Sequence, residues 1–250
     1  MTTSPTTVPT TVLITGSNKG LGAETTRRLA ALGWTVWMGA RDVAAAEATA
    51  AQIRLDQPDA DLRPITLDVT DQASVDAARE AVVSSGTGLD VLVNNAGIAD
   101  PAANDVTTTT AEVLHATYAV NVYGPIRVTH AFLPVLRESA RPRVVMVSSG
   151  LGKIQHVTDP ERIESQVPGL AYQSSKAALD MIAVQYDKAL PEVRVRAVDP
   201  GYTATDLNGH SGPQTVTEGT DAIVAAASAD VVPLLPFDRA DLGIGVGAGS

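Results

Sequence analysis

Along the chain, short runs of β-branched and apolar residues alternate with Ala-rich stretches of helical period. That alternation is the signature of parallel strands joined by crossover helices. It predicts a first strand at Thr11 to Thr15, a Gly-rich turn, and a helix from about Leu21 to Leu32 closed by Gly33. A second strand at Thr35 to Met38 leads to a helix from Val43 to about Leu55, which stops before Pro58. A third strand at Leu62 to Leu67 precedes a helix at about Gln72 to Ser84, with Asp71 placed to cap its free N–H groups. Leu89 to Val93 is the fourth strand, and Gly97 to Thr109 is a loop. A long helix from about Ala111 to Leu136, interrupted near Gly124-Pro125, leads to a fifth strand at Arg143 to Val147. A helix from about Tyr172 to Leu190 precedes a sixth strand at Val193 to Val198, and a last helix is expected around Thr217 to Ala229.

No solenoid repeat is visible, and no Gly/Ser/Pro linker divides the chain into two halves that could each hold a core. The expected architecture is α/β: a single Rossmann-type doubly wound parallel sheet with helices on both faces, occupying residues 11–250. Residues 1–10 are Thr- and Pro-rich and have the composition of a flexible tail, unable to bury enough apolar area to offset ordering entropy. The stretch from Asp230 to Ser250 is rich in Pro and Gly, allows at most a short strand at Leu234 to Phe237, and is expected to end in a mobile terminus.

Composition narrows the chemistry. Hydrophobic residues make up 44% of the chain and aromatics 4%, so the core must be built from Ala, Val, Leu and Ile, as in helices laid over buried strands. The formal net charge of -10 lacks the basic footprint that nucleic-acid backbones and anionic membranes select for, so neither is an expected partner. No cysteine is present, which excludes disulfides, Cys-ligated metal sites and a thiol nucleophile, and fits a cytoplasmic location. No apolar run reaches membrane-spanning length, and the N-terminus has no basic and apolar leader pattern. A soluble, unexported protein is expected.

The first strand ends in Thr15-Gly16-Ser17-Asn18-Lys19-Gly20-Leu21-Gly22. Glycines between a strand and a helix let the backbone approach a pyrophosphate, and the helix N-terminus presents free N–H groups to it. The spacing is GxxxGxG rather than the commoner GxGxxG. Downstream, Tyr172-Gln173-Ser174-Ser175-Lys176 puts a phenol and an ammonium four residues apart on one helix face. A nearby cation favours phenolate and draws a phenol, ordinarily near pKa 10, toward the range of a useful base. Taken alone, that spacing describes a surface pair. Here it stands with Asn94-Asn95-Ala96-Gly97 after strand four, Ser148-Ser149 after strand five and Pro200-Gly201 after strand six. All follow carboxyl ends of predicted parallel strands, where ligands bind in open α/β sheets.

With these motifs in this order, the sequence from about Val12 to Asp206 resembles the classical short-chain dehydrogenase/reductase family, and its carbonyl-reductase-like members in particular. The resemblance implies that Tyr172 exchanges the proton in carbonyl reduction or alcohol oxidation. It implies that Lys176 lowers the phenol pKa and binds the nicotinamide ribose, that Ser149 holds the substrate oxygen, and that Asn121 holds a relay water. Gly16, Ser17, Asn18, Lys19, Gly20, Leu21 and Gly22 would cradle the cofactor phosphates. Asp68 and Val69 would contact adenine, and Asn95, with Ala96 and Gly97, the ribose side. Pro200, Gly201, Thr203 and Thr205 would approach the carboxamide. Taken without its neighbours, Asp68 reads as a helix cap or a solvated loop acid. No metal is required.

Cofactor choice follows from charge. After strand two the chain reads Gly39-Ala40-Arg41, with Ala where the family's NAD-binding acid would stand. Arg41 can pair bidentately with a 2′-phosphate and Lys19 adds a second charge, so NADPH/NADP+ is expected over NAD. Asp42 is the acid able to neutralise Arg41 or turn toward the ribose. The expected partner is a small carbonyl or alcohol substrate, with the oligomeric state open among monomer, dimer and tetramer. Ser149 and Tyr172 are separated by a segment longer than in the shortest family members, and Val157 to Gln166 would lie over the substrate mouth or beside interface helices.

His115, His130, His156 and His210 lack metal-ligand spacing, though His156 and His210 fall in segments flanking the expected pocket. A hydrolase reading of Ser148-Ser149 fails for want of a G-x-S-x-G elbow. A non-catalytic NADP(H) sensor remains as the alternative, and a nucleotide-fold methyltransferase leaves the Tyr/Lys pair unexplained. The main departure from the family lies after Ala229, where Val231 to Phe237 carries prolines in place of the usual closing strand.

Overall fold

A computed structural model describes residues 9–230, 233 and 236–243. Six parallel strands form one sheet: β1 (Thr11–Thr15), β2 (Thr35–Ala40), β3 (Leu62–Thr66), β4 (Val91–Asn94), β5 (Arg143–Val147) and β6 (Arg194–Val198). Their order is β3-β2-β1-β4-β5-β6, so the winding reverses between β1 and β4. That reversal opens a crevice at the carboxyl ends of those two strands. β1, β2, β4 and β5 are buried along their whole length, which explains why they read as continuous apolar runs rather than as alternating ones.

The helices are α1 (Gly20–Ala30), α2 (Val43–Asp56), α3 (Gln72–Ser84), α4 (Ala111–Tyr118), α5 (Gly124–Leu136), α6 (Ile154–Val157), α7 (Leu170–Ala189), α8 (Val216–Gly219) and α9 (Asp221–Ser228). Leu29 of α1, Ala46, Ala50 and Ile53 of α2 and Ile223 of α9 pack on one face of the sheet. Val75 and Val82 of α3, Val128 and Phe132 of α5 and Leu179 and Ala183 of α7 cover the other. Asp71 caps α3 as expected, accepting from Ala73 and Ser74 N–H.

Three elements differ from the sequence pattern. The break in the long helix is a π-helical stretch, Ala119–Tyr123, lying just ahead of Gly124-Pro125. Pro125 is accommodated because it falls at the start of α5, where a missing N–H costs least. The helix expected around Thr217 to Ala229 is divided at Thr220. Of the closing strand expected at Leu234 to Phe237, Phe237 bridges Val198 in parallel and accepts the Asp199 N–H at 2.9 Å. Leu234 and Leu235 of that expected strand lie outside the described residues, as do residues 1–8 of the tail and 244–250 of the terminus. Among the described residues no helix is long and apolar enough to cross a membrane, and no group of His, Cys, Asp or Glu could hold a metal ion.

Candidate active site

The glycine loop runs from the end of β1 into the first turn of α1, and each residue in it is held from a different direction. Ser17 is buried and bonds through its N–H and hydroxyl to Gly39 O, at 3.1 and 3.3 Å. Thr49 donates to Asn18 O at 2.7 Å. Asn95 Nδ2 donates to Thr15 O at 2.8 Å and Gly16 O at 3.0 Å, while Thr15 Oγ1 accepts from Asn95 and Ala96 N–H. The donor end of Asn95 is thus turned to the loop, bracing it against β4. A Cβ at Gly22 would collide with Gly16 O and stand 2.6 Å from Asn95 Nδ2, so only glycine permits this close passage. The result is a backbone cradle above the N-terminus of α1, at the switch between β1 and β4.

Around the cradle, Lys19 Nζ pairs with Asp206 Oδ2 at 2.7 Å, and Asp206 Oδ1 lies 2.8 Å from His210 Nε2. These exposed groups link the glycine loop to the segment after β6, so Lys19 has an acidic partner that its place in the chain did not disclose. Asp42 caps α2, accepting from Ala44 and Ala45 N–H at 3.0 and 3.3 Å, which turns it to its own helix rather than to Arg41. Burial works to raise the Asp68 pKa, but bonds from the Thr70 hydroxyl and N–H and the charges of Arg41 and Arg127 hold it below the usual value. Val69 is buried against Gly124, and its carbonyl accepts from Arg127. Pro200 and Thr203 are buried, and Thr203 Oγ1 donates back to Pro200 O at 3.0 Å. Thr205 N–H donates to Asn208 Oδ1 at 3.1 Å, and Gly20 lies against the Thr205 side chain.

The second cluster is built on α7. Tyr172, Lys176 and Asp180 recur every four residues and so share a face. The Ser149 hydroxyl acts to lower the Tyr172 pKa, and Ser149 Oγ accepts from Leu151 N–H at 3.2 Å. Lys176 is buried, with Nζ 5.5 Å from the Tyr172 ring centroid and donating to Val147 O at 2.7 Å. Gly97 stands close by, an ideal Cβ there lying 3.7 Å from that Nζ and 3.5 Å from Asn121 Oδ1. Asn121, on the π-helical stretch, receives Ile98 N–H on Oδ1 at 2.9 Å. Its Nδ2 donates to Ile98 O and Ser175 Oγ at 2.9 and 3.0 Å. Both Nδ2 hydrogens and one acceptor position of Oδ1 are thus engaged, tying the π-helical stretch to the loop after β4 and to α7.

The electrostatics correct one expectation. Burial pushes the Tyr172 phenol up to about 12, with the Ser149 hydrogen bond opposing and the Asp199 charge adding to the rise. Lys176 does not reverse that rise, and burial pushes its own pKa down to about 8 against the charges of Asp180 and Asp199. Burial likewise pushes Asp180 up to about 6, countered by a Ser148 hydrogen bond and by Lys176. Asp180 and Asp199 are site neighbours that sequence reasoning missed. The four-residue spacing from Lys176 was a signal for Asp180, and adjacency to Pro200-Gly201 was one for Asp199.

In the inserted segment, His156 Nδ1 lies 3.4 Å from Glu164 Oε1, an acidic partner too distant in sequence for a helical search to find. An apolar cleft of about 410 Å³ opens beside it, lined by Val106, Val157, Val167, Leu170 and Gln173.

Comparison with known proteins agrees with this geometry. Residues 10–215 match the family model for short chain dehydrogenase. A short-chain dehydrogenase, anuI, of Penicillium roqueforti is 35% identical over 87% of this chain and 88% of its own. The (+)-neomenthol dehydrogenase of Arabidopsis thaliana is 32% identical over 88% and 91%. NADPH-bound carbonyl reductase from chicken fatty liver superposes with a TM-score of 0.78 at 30% identity, covering 89% of this chain and 92% of that one. The chain therefore belongs to the short-chain dehydrogenase family and is an oxidoreductase.

Proposed function

We propose that the protein is an NADPH-dependent reductase of ketones or aldehydes, acting reversibly on the corresponding alcohols. The observation that carries this reading is the meeting of two sets at one sheet end: a cradle that a Cβ at Gly22 would fill, and the Ser149, Tyr172 and Lys176 cluster beside it. The cradle's free N–H groups and the glycine-only approach suit a pyrophosphate, so the residues fit a nicotinamide dinucleotide. When bound, that cofactor supplies the hydride. Ser149 and Tyr172 hydroxyls hold the substrate oxygen as negative charge develops on it, and Tyr172 delivers the proton. Lys176 orients the ribose and supports the phenolate left behind. Asn121 holds a relay water.

Preference for the 2′-phosphate is supported by Ala40 and Arg41 after β2, and by the engagement of Asp42 in capping α2. The names of the relatives support the same carbonyl/alcohol couple: one is an NADPH-bound carbonyl reductase, another a neomenthol dehydrogenase. Residues 11–250 are read as one catalytic domain, and the cysteine-free composition suits a reducing cytoplasm. A panel of ketones and aldehydes, followed by loss of NADPH absorbance, tests the reading. Turnover is expected in wild type and loss of at least 100-fold in Tyr172→Phe, an order of magnitude set by general acid catalysis, with cofactor affinity retained. Cofactor binding without turnover on any substrate would refute it in favour of a sensor.

A further inference from the structure

The chain after β6 is tied to α1 and the glycine loop at several points. Gly20 lies against the Thr205 side chain, Thr217 Oγ1 donates to Glu24 Oε1 at 2.9 Å, and Arg28 meets Asp221 at 2.7 Å. One further tie is open to solvent: Lys19 Nζ to Asp206 Oδ2 at 2.7 Å, both side chains more than half exposed. Lys19 stands at the N-cap of α1, and its side chain makes no capping bond to that helix. The two residues before it are fastened elsewhere, Ser17 to Gly39 O at the end of β2 and Asn18 O to Thr49 of α2. Arg41 follows Gly39 by two residues, so Lys19 and Arg41 flank the same corner of the crevice, the one expected to hold a 2′-phosphate. Asp206 divides its oxygens between two partners, Oδ2 on Lys19 and Oδ1 at 2.8 Å from His210 Nε2. It therefore keeps a partner when Lys19 leaves it.

We propose that Asp206 is a specificity-determining residue for the cofactor, competing with the 2′-phosphate for Lys19. This use of Lys19 rests on the NADPH preference proposed above. An ammonium 2.7 Å from a carboxylate already has its counter-charge, and a phosphate engages it fully only by displacing that acid. A cofactor with a free 2′-hydroxyl brings no charge to compete with, so it binds with the Lys19–Asp206 tie in place. Asp206 thus narrows the difference between the two cofactors that Arg41 and Lys19 create. Because both groups of the tie are exposed, the competition changes affinity by a few-fold rather than by orders of magnitude. The long, flexible stem of a lysine, with three donors at its end, suits such an exchange better than the fixed fork of an arginine.

The test is a cycle of dissociation constants for NADPH and NADH, read by fluorescence titration of the full chain without substrate. The proteins are wild type, Asp206→Asn, Lys19→Met and the double variant. Asp206→Asn keeps the shape of the side chain and removes its charge, and is expected to tighten NADPH about threefold while leaving NADH unchanged. In the Lys19→Met background the same substitution is expected to gain nothing, because the group competed for is gone. A gain of full size without Lys19 would mean bare repulsion between Asp206 and the phosphate, and overturns the proposal. An Asp206→Asn variant that binds both cofactors as wild type does, or shifts both equally, overturns it too. Arg41→Ala, titrated alongside, separates the two levels of inference. If it weakens NADPH selectively while Asp206→Asn changes nothing, the cofactor preference stands and the role of Asp206 falls; if neither variant distinguishes the cofactors, both fall.

Discussion

Replacing Lys176 by Met is expected to make the protein more stable at neutral pH and less stable in strong alkali. Lys176 is 4% exposed, and burial lowers its pKa from 10.5 to about 8. A lysine whose folded pKa is depressed costs stability below the folded value. As pH rises toward the unfolded value, the unfolded chain binds more protons and the cost disappears. The depression converts to about 3 kcal/mol at 1.36 kcal/mol per unit, fully present below pH 8 and gone above pH 10.5. Met is of similar length and carries no charge, but it leaves Val147 O without the 2.7 Å donor it now has. That loss costs about 1 kcal/mol. The net at pH 7 is a gain of about 2 kcal/mol, or roughly 4–8 °C in Tm for a chain of this size. Above pH 10.5 only the lost hydrogen bond remains and the sign reverses. Thermal unfolding followed by circular dichroism at both pH values reads this directly. A Lys176→Met variant less stable than wild type at pH 7, or a difference that does not change with pH, refutes the reasoning.

Arg41→Ala is expected to raise the KM for NADPH at least tenfold more than that for NADH, about 1.4 kcal/mol of differential binding; equal effects in steady-state kinetics would remove the charge argument for the 2′-phosphate. Gly22→Ala drives a Cβ into Gly16 O and against Asn95 Nδ2, and cofactor affinity measured by fluorescence titration should fall at least tenfold, about 1.4 kcal/mol, an unchanged Kd being the adverse result. Phe237 is 1% exposed and packs into the core beneath α9. Phe237→Ala should cost about 3–5 kcal/mol in urea unfolding if this single bridge does the work of a closing strand, whereas a loss below about 1 kcal/mol would show that β6 needs no such neighbour.

Strands β1, β2, β4 and β5 were legible in the sequence because they are buried on both sides and therefore largely continuous apolar runs. β1 and β5 match the expected boundaries, and β2 runs two residues further, to Ala40. The glycine cradle and the Tyr/Lys pair were legible for a related reason, since each needs a fixed residue type at a fixed local spacing. What local pattern did not carry were partners fixed by the fold. Lys19 meets Asp206 across the crevice, His156 meets Glu164 within the inserted segment, and Asp199 meets Gly150 across two strand ends. The sense of the Tyr172 shift was missed for the same cause. A lysine four residues away is visible in the sequence, while the desolvation that overrides it depends on everything packed around the phenol.

The placement of the acids near Lys176 resolves an apparent contradiction in an acidic chain that keeps a cation in its interior. Burial alone drives that ammonium toward neutrality, and the charges of Asp180 and Asp199 act against it. The same Asp199 charge adds to burial in raising the phenol's pKa, so one carboxylate favours the charged form of the lysine and the neutral form of the tyrosine at once. A donor phenol beside a cation is the arrangement that the proposed carbonyl reduction requires before proton transfer; burial by itself favours the neutral phenol, and the two carboxylates favour the charged lysine against the same burial. The cost is carried at least in part as buried charge, which is why Lys176→Met should raise stability at neutral pH while removing a group the proposed reaction needs, a separation of stability from reactivity that changes in the surrounding apolar core would not give.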